Sequence, residues 1–240
     1  MNKIYVIANQ KGGVGKTTLA VNFAFYLSKQ NNILFIDLDP QASSTFFLVD
    51  NPKNFVNSSR DIFFGRDPRS LIIKNRYNFD MIPAKLELED VMSTKNINAL
   101  IGALMLIRDY YDAIIIDTRP SVDSILKSAI AAAETLIIPL VPEYLPLYDL
   151  EVTNDLIREI DKNNNLRIKY VINLYDSRIS LHKILGAKLE KALGENLLTP
   201  YIHNSAAFKN AIAMQQTIFE YDNNSRSTKE ISLLASKIFK

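Results

Sequence analysis

The sequence contains no cysteine and only two histidines, His182 and His203, among its 240 residues. Without thiols the chain can form neither a disulfide framework nor a thiolate-ligated zinc or iron–sulfur site, and two histidines are too few for a multi-histidine metal site. Any metal is therefore expected to be a hard cation with oxygen ligands. We expect no special role for either histidine.

Long apolar runs are also missing, because no stretch reaches the roughly 18 residues that a membrane-spanning helix needs. The first residues have neither the charged-then-apolar pattern nor the small-residue cleavage site of an export signal. We therefore expect a cytoplasmic protein. An apolar content of 48% and a charged content of 22% are typical of a globular chain, and the length suits one large domain over residues 1–240.

Charge is unevenly distributed, although the net charge is only +2. Residues 158–240 contain 13 Lys or Arg and 8 Asp or Glu, whereas residues 1–157 contain 15 and 18. A basic C-terminal third can face nucleic acid, but so small an excess is also typical of an ordinary solvated surface. Composition alone leaves both interpretations open.

Short apolar segments alternate with segments of helical period along the chain. The predicted strands are 3–8, 32–38, 111–118, 134–141 and 168–175, and the predicted helices are 17–29, 96–109, 122–133, 147–161 and 180–193. Strands that are apolar throughout are typical of a parallel sheet that is buried on both faces. The alternation predicts an α/β fold with a doubly wound, mostly parallel sheet and helices on both faces. We expect the polar stretch 50–76 to be an irregular excursion with short helices.

The segment between the first predicted strand and helix has the pattern of a phosphate-binding loop. It reads ANQKGGVGKTTLA over residues 8–20, and its candidate phosphate contacts are Gly12, Gly13, Val14, Gly15, Lys16, Thr17 and Thr18. Backbone N–H groups, the helix N-terminus and Lys16 attract phosphate oxygens, and the Thr17 hydroxyl can bind Mg²⁺. The strand–loop–helix context favours this interpretation over a glycine-rich turn with incidental lysines.

One position departs from the usual phosphate-loop pattern. Where G-x-x-x-x-G-K-[ST] has its first glycine, this chain has Gln10, and an additional lysine, Lys11, follows it. One lysine is enough to hold a phosphate, so the second needs another explanation.

Three aspartates stand at the ends of predicted strands. Asp37 and Asp39 end the segment ILFIDLD, and Asp117 ends AIIIDT. Ligands of open α/β sheets bind at the carboxyl ends of the strands, and one or two carboxylates suffice for Mg²⁺. Alternation puts Asp37 and Asp39 on the same side of their strand, so both could face the phosphates. Alternatively, Asp39 could cap a helix that starts near Gln41.

Three segments, KGGVGKTT with its additional lysine, FIDLDPQASST and IIIDTRPS, resemble the deviant Walker A, Walker A′ and Walker B motifs of the ParA/MinD ATPases. The similarity runs from Lys3 to about Leu150 and is greatest to short, Soj-type partition proteins. It implies a P-loop NTPase fold, ATP and Mg²⁺ as ligands, slow ATP hydrolysis and a homodimer in the ATP state. It also implies nonspecific DNA binding on the nucleoid and a ParB-like activator protein.

The resemblance also implies roles for the motif residues. Lys11 would reach the phosphates of the partner subunit's nucleotide, Lys16 would bind those of its own, and Asp39 would orient the attacking water. The metal would be held by Thr17, Asp37 and Asp117. Asn173, at the end of the strand KYVIN, would read the adenine edge, although a strand-end asparagine can equally cap its own loop. No N-K-x-D run is present to bind guanine, which favours ATP over GTP.

Two features depart from the family pattern. The Walker B motif usually continues D-x-P-P, but here Arg119 precedes Pro120, and it could contact phosphate, the partner subunit or solvent. An arginine that relatives use for DNA is missing from residues 199–211. The cations that could replace it are Arg178, Lys183, Lys188, Lys209, Arg226 and Lys229. For Arg178, a surface salt bridge is the alternative.

Two other functions remain open from sequence: a MinD-like ATPase that positions itself on membranes, and a regulator that binds nucleotide with little turnover. The C-terminal segment 227–240 discriminates against the first. Its apolar positions Ile231, Leu234, Ala235 and Ile238 have helical spacing and predict a core-facing last helix rather than a membrane anchor.

Overall fold

The computed structural model describes residues 4–52, 55–92, 96–143 and 146–239, with the side chains of 146–149 excepted. Within these ranges, eight strands form one sheet in the order β3-β4-β2-β5-β1-β6-β7-β8. The strands are β1 (Ile4–Ile7), β2 (Ile33–Leu38), β3 (Ile73–Lys74), β4 (Asp80–Ile82), β5 (Ala113–Thr118), β6 (Thr135–Leu140), β7 (Arg167–Ile172) and β8 (Leu197–Leu198). All neighbours pair in parallel except β3 and β4, which are antiparallel. The predicted sheet class is therefore confirmed.

The helices of the described residues lie between these strands and after them. They are α1 (Lys16–Ser28), α2 (Ser43–Leu48), α3 (Arg60–Phe63), α4 (Ala99–Met105), α5 (Ser124–Ala132), α6 (Pro146–Ile160), α7 (Ser180–Leu193), α8 (Ala206–Ala213), α9 (Ile218–Tyr221) and α10 (Arg226–Ile238). Short 3₁₀ turns occur at Pro68–Leu71, Leu86–Val91, Arg108–Tyr110 and Gly194–Asn196.

Most predicted elements occur within three residues of their expected bounds. The helix expected over 96–109 is shorter, because α4 ends at Met105 and a 3₁₀ turn follows. The strand expected to end at residue 175 stops at Ile172, and Leu174 then adopts a left-handed backbone conformation with φ 54°. The stretch 50–76 contains α3 and a 3₁₀ turn, as predicted, and also the edge strand β3; its residues 53–54 lie outside the described residues.

The two faces of the sheet carry separate apolar layers. Ile36 and Ile116 contribute to the layer shared with α4, α5 and α6, whereas Phe35 and Ile115 contribute to the layer shared with α1 and α10. Both faces of the central strands β2 and β5 are fully buried, which accounts for their apolar runs; the polar exceptions, Asp37, Asp117 and Thr118, lie near the carboxyl ends of the strands.

The last helix packs into the second of these layers. Ile231, Leu234, Ala235 and Ile238 of α10 are buried together with Phe23 of α1, so the predicted core-facing helix is confirmed. In the described part of the chain, no helix combines the length and apolar character needed to cross a bilayer.

Candidate functional site

A loop with two left-handed glycines joins β1 to α1 at the carboxyl edge of the sheet. Gly13 has φ 74° and Gly15 has φ 89°, a region that residues with a Cβ avoid. No side chain caps the N-terminus of α1, so its first N–H groups are available to an anion. The Lys16 side chain is buried, and its Nζ donates to the carbonyl of Lys11 at 3.0 Å, so this cation is folded into the loop.

Two asparagines hold the loop to neighbouring strands. Asn9 Nδ2 donates to the carbonyl of Pro139 at 2.7 Å, while its Oδ1 accepts from the Lys11 N–H at 2.8 Å. At the other end of the loop, Asn173 Nδ2 donates to the carbonyl of Val14 at 2.8 Å. Sequence reasoning missed Asn9, because nothing in its local pattern distinguishes it from an ordinary loop residue.

The contact of Asn173 with Val14 was not predicted, since the alternative left open from sequence was a cap on its own loop and Val14 is 159 residues away. The contact of Asn173 with adenine stays a prediction. A cavity of about 130 Å³ beside the loop is lined by Asn173, Gly13, Thr18, Asn204 and Phe208, among others, and offers space next to the phosphate site.

Asp37 and Asp117 lie opposite each other on neighbouring strands, since β2 and β5 pair Asp37 with Asp117. Both are completely buried. Asp37 accepts three hydrogen bonds: from the Asp39 N–H at 2.9 Å, the Thr45 N–H at 2.9 Å and the Thr45 hydroxyl at 2.7 Å. Neither oxygen of Asp117 accepts a hydrogen bond of normal geometry from the described residues, although the Thr17 hydroxyl lies close enough to lower its pKa. Of the two carboxylates, Asp117 is therefore the one with open ligand positions.

The electrostatics of this pair favour a bound cation. Burial, followed by the negative charge of Asp37, raises the pKa of Asp117 well above its usual range, and the Thr17 hydroxyl and Lys16 only partly offset this. Burial also raises the pKa of Asp37. Burial lowers the pKa of Lys16, although the charges of Asp117 and Asp39 act in the opposite direction. Two buried carboxylates and one ammonium leave negative charge uncompensated, which suits Mg²⁺ held by oxygen ligands.

Asp39 follows the end of β2 and closes the next turn. Its Oδ1 accepts from the Gln41 N–H at 2.9 Å, and its carbonyl accepts from the Ala42 N–H at 2.8 Å. The helix expected near Gln41 begins at Ser43, and its N-cap residue, Ala42, has no side-chain cap. The alternative that Asp39 caps this helix is therefore wrong, because the chain turns once more before α2 begins.

The two lysines of the loop point in different directions. Lys11 Nζ forms an ion pair with Glu143 Oε2 at 2.8 Å, and the two side chains are 38% and 56% exposed. Glu143 follows β6 and was not predicted, since 132 residues separate it from Lys11 in sequence. The inner lysine, Lys16, thus belongs to the loop itself, whereas Lys11 stands at its solvent-facing rim.

The Arg119 side chain is 21% exposed and packs on its own subunit, and contacts with phosphate or a partner subunit stay predictions. Its Nη1 lies 2.7 Å from Met92 Sδ, and its Nε lies 3.5 Å from a carboxylate oxygen of Asp123. Asp123 also caps α5 by accepting from the N–H groups of Ile125 and Leu126. The arginine therefore connects the Walker B loop to the start of α5.

The candidate DNA-contacting cations divide into paired and unpaired groups. Arg178 binds both carboxylate oxygens of Asp176, at 3.0 and 2.7 Å, and its guanidinium lowers the pKa of that carboxyl. Arg226 binds Glu230 at 2.7 Å. Among these six candidates, the four lysines are exposed and have no ion-pair partner within the described residues: Lys183 and Lys188 on α7, Lys209 on α8 and Lys229 on α10.

Both histidines make structural contacts that were not predicted, and the expectation that they have no special functional role stays a prediction. His203 Nδ1 lies 2.8 Å from the buried carboxylate of Glu230, and its Nε2 lies 2.7 Å from Arg226, so it joins the segment before α8 to α10. His182 Nδ1 accepts from the Asp176 N–H at 2.9 Å. Both contacts depend on tertiary packing, which no local pattern reveals.

Comparison with known proteins finds relatives that match nearly the whole chain. A family model described as an AAA domain matches residues 2–170. The chain is 32% identical to an uncharacterised protein of Pseudomonas putida, over 99% of this chain and 95% of the relative. It is 30% identical to the sporulation initiation inhibitor protein Soj of Bacillus subtilis, over 99% and 98%. A plasmid partition protein of Borrelia burgdorferi, solved with AMPPNP, is 30% identical over 99% and 100% of the two chains, with a TM-score of 0.82.

We predict that Asp117→Asn stabilises the ligand-free protein. A buried carboxylate without partners opposes folding, so at about pH 7 the free energy of unfolding should rise by roughly 2 kcal/mol, measured by urea denaturation without nucleotide or Mg²⁺. Folding raises the pKa of Asp117, so the destabilisation sets in as pH rises above the unfolded-state pKa and is complete once pH exceeds the folded-state pKa. The difference between variant and wild type should therefore vanish below about pH 4, where the carboxyl is protonated in both states.

The control is Asp112→Asn, an exposed position just before β5, where the change should be close to zero because the amide oxygen can still accept the hydrogen bond from the Asn32 N–H. Destabilisation by Asp117→Asn at neutral pH would contradict the assignment of Asp117 as an uncompensated charge.

Proposed function

The chain belongs to the ParA/MinD family of P-loop ATPases, and from this premise we propose that it is an ATP-driven partition switch for a plasmid or chromosome. ATP closes a homodimer, the dimer binds DNA nonspecifically, and a ParB-like partner stimulates slow hydrolysis, which releases the protein from DNA. The observation that carries the proposal is the divergence of Lys11 and Lys16, since one lysine lies inside the loop and the other at its rim.

Nucleotide binding is assigned to the loop and the first turn of α1. The N–H groups of residues 12–18 and the Lys16 ammonium would hold the triphosphate, and AMPPNP bound to the Borrelia relative supports this assignment. Thr17 and Asp117 would hold Mg²⁺, whose charge neutralises phosphate oxygens, while Asp37 supports the site through its bonds to α2. The fixed bonds of Asp37 suit a supporting role better than direct ligation.

Dimerisation is assigned to Lys11. Its ammonium cannot serve the loop's own phosphates while it is paired with Glu143, yet it is exposed enough to be redirected. In a dimer whose loops face each other, it would reach the partner's nucleotide and offset charge that develops on the transferred phosphoryl group. Exchange of one exposed ion pair for a contact with triphosphate favours the dimer, because the charge of triphosphate is higher.

We expect Lys11→Ala to separate nucleotide binding from dimerisation. The variant should bind ATP nearly as well as wild type, as measured by calorimetry, but should fail to dimerise with ATP in light scattering. Lys16→Ala is the matched comparison, since it should lose ATP binding itself. Glu143→Gln removes the competing partner and should lower the ATP concentration at which half the protein is dimeric. A Lys11→Ala variant that dimerises normally would rule out the role in trans.

Water positioning is assigned to Asp39. Its Oδ1 is bound to the next turn, so the carboxylate has a fixed position near Lys16, whose pKa it influences. A carboxylate that only orients water is a weak catalyst, which suits slow turnover used as a timer.

Asp39→Ala should retain ATP binding and dimerisation but release phosphate at least about 100-fold more slowly, because general base or water-orienting groups contribute that much. The ATP-bound dimer should therefore accumulate. Phosphate release and size-exclusion chromatography measure the two properties, and Asp155→Ala, at an exposed ion pair on α6, controls for the loss of a carboxylate. Unchanged phosphate release would show that Asp39 does not position the attacking water.

DNA contact is assigned first to the unpaired lysines. Lys183 and Lys188 lie on the exposed side of α7. Lys209 on α8 and Lys229 on α10 are also exposed. Arg178 and Arg226 are weaker candidates, since DNA phosphate would have to compete with Asp176 and Glu230. One protomer offers only a few such cations, but a dimer doubles them and binds by avidity.

The test is DNA binding at several salt concentrations with ATP, with ADP and without nucleotide. Wild type should bind only with ATP. The double variant Lys183→Ala/Lys188→Ala should weaken binding and reduce the slope of log K against log salt by about 0.9 for each lost phosphate contact. Lys74→Ala/Lys127→Ala removes the same charge from ion pairs elsewhere and should change little.

A parallel sedimentation experiment with anionic liposomes distinguishes the MinD-like alternative. We expect no ATP-dependent sedimentation, because the apolar face of α10 is buried in the core. ATP-dependent sedimentation with liposomes and not with plasmid DNA would replace the proposed function with membrane positioning.

A further inference from the structure

The backbone of the phosphate loop is bonded to two buried side chains that carry no charge. Asn9 and Asn173 are each 5% exposed, and each donates its amide N–H to a main-chain carbonyl. Asn9 connects the start of the loop to the end of β6, and Asn173 connects the end of the loop to the end of β7. The loop therefore has one fixed point on each side of its glycines.

Asn173 is itself held rigidly. Its backbone N–H donates to the carbonyl of Leu140 at 2.7 Å, which fixes it to the neighbouring strand β6. Its side chain also lies so close to Gly15 that a Cβ on Gly15 would overlap the amide nitrogen. Gly15 is required here both by its φ of 89° and by the approach of Asn173.

The bond to Val14 has a consequence for the next N–H group. In a trans peptide the C=O and the following N–H point in opposite directions. Because Asn173 holds the carbonyl of Val14 at 2.8 Å, it also sets the direction of the Gly15 N–H. Phosphate loops bind anions through such convergent N–H groups, and a loop ordered in advance loses less conformational entropy when the anion binds.

We propose that Asn173 is a positioning residue for the phosphate loop and acts through the Val14 carbonyl. Asn9 holds the other end of the loop through the Lys11 N–H and the Pro139 carbonyl. Asn173 thus contributes to the binding of any triphosphate, whatever its base. The inference rests on the proposed function only in taking the natural ligand to be ATP.

The first test uses a ligand without a base. Affinities for inorganic tripolyphosphate, ATP and GTP, each with Mg²⁺, are measured by calorimetry for wild type and Asn173→Ala. The variant should bind tripolyphosphate and ATP about five- to tenfold more weakly, as expected from the loss of one buried hydrogen bond, with an unchanged ratio of ATP to GTP affinity. Unchanged tripolyphosphate affinity with an altered ATP to GTP ratio would overturn the inference, because Asn173 would then act on the base alone.

The matched control is Asn204→Ala. Asn204 lines the same cavity, but no hydrogen bond joins its side chain to the loop within the described residues. Its replacement should leave tripolyphosphate affinity unchanged. An equal loss in both variants would point to a general effect on the cavity and would overturn the specific role of Asn173.

The second test needs no ligand. Backbone ¹⁵N relaxation of the nucleotide-free protein should show lower order parameters at residues 13–15 in Asn173→Ala, while residues 113–118 of the core stay unchanged. Asn173→Leu has a similar size and no hydrogen-bond donor, so its order parameters should fall in the same way, and it serves if the alanine variant does not fold. Unchanged order parameters would overturn the inference. If the order parameters fall but wild type binds no ATP, the positioning role stands and the proposed function fails.

Discussion

The site depends on the burial of two neighbouring carboxylates, Asp37 and Asp117, which differ in their hydrogen bonds. Asp37 and Asp117 are register neighbours on β2 and β5, and neither is exposed. Burial of a charge is costly unless the charge is paired or hydrogen-bonded. Asp37 is compensated within the protein by the N–H groups of Asp39 and Thr45 and by the Thr45 hydroxyl, whereas Asp117 lacks such bonds and is only partly compensated by Thr17 and Lys16. In the proposed site, this carboxylate beside Lys16 would attract a cation and, with it, a phosphate ligand.

The two lysines of the loop also differ in burial and in their bonding partners. Lys16 is buried beside negative charge and folded onto the Lys11 carbonyl, so its position is set before any ligand binds. Lys11 is half-exposed in an ion pair with Glu143, and exposed ion pairs contribute little to stability. A contact of this kind can be exchanged at small cost. The fold thus provides one fixed cation for binding and one exchangeable cation, and the proposed role of Lys11 between subunits uses that difference.

Sequence reasoning predicted the parts of the site that local patterns encode. The phosphate loop, Asp37 and Asp117 follow from buried strands whose apolar runs end in a polar residue, and the sheet class follows from the same runs. The strands β3, β4 and β8 were missed because two or three residues are too few to show a period. Glu143, the contact of Asn173 with Val14, and the partners of Arg119 were missed because each joins segments that meet only after folding. The ion pairs of Arg178 and Arg226 likewise leave the unpaired lysines as the stronger candidates for DNA contact.

In the proposed mechanism, the weakness of each individual contact is what makes a switch possible. A single exposed lysine binds phosphate poorly at physiological salt, so one protomer has little affinity for DNA. When two protomers are joined, the second set of lysines binds at high effective concentration, and affinity rises far more than twofold. DNA binding then depends steeply on dimerisation, and dimerisation depends on whether Lys11 exchanges Glu143 for the partner's triphosphate. A stronger basic patch would bind DNA without ATP and remove this dependence, which is consistent with the modest excess of positive charge in residues 158–240.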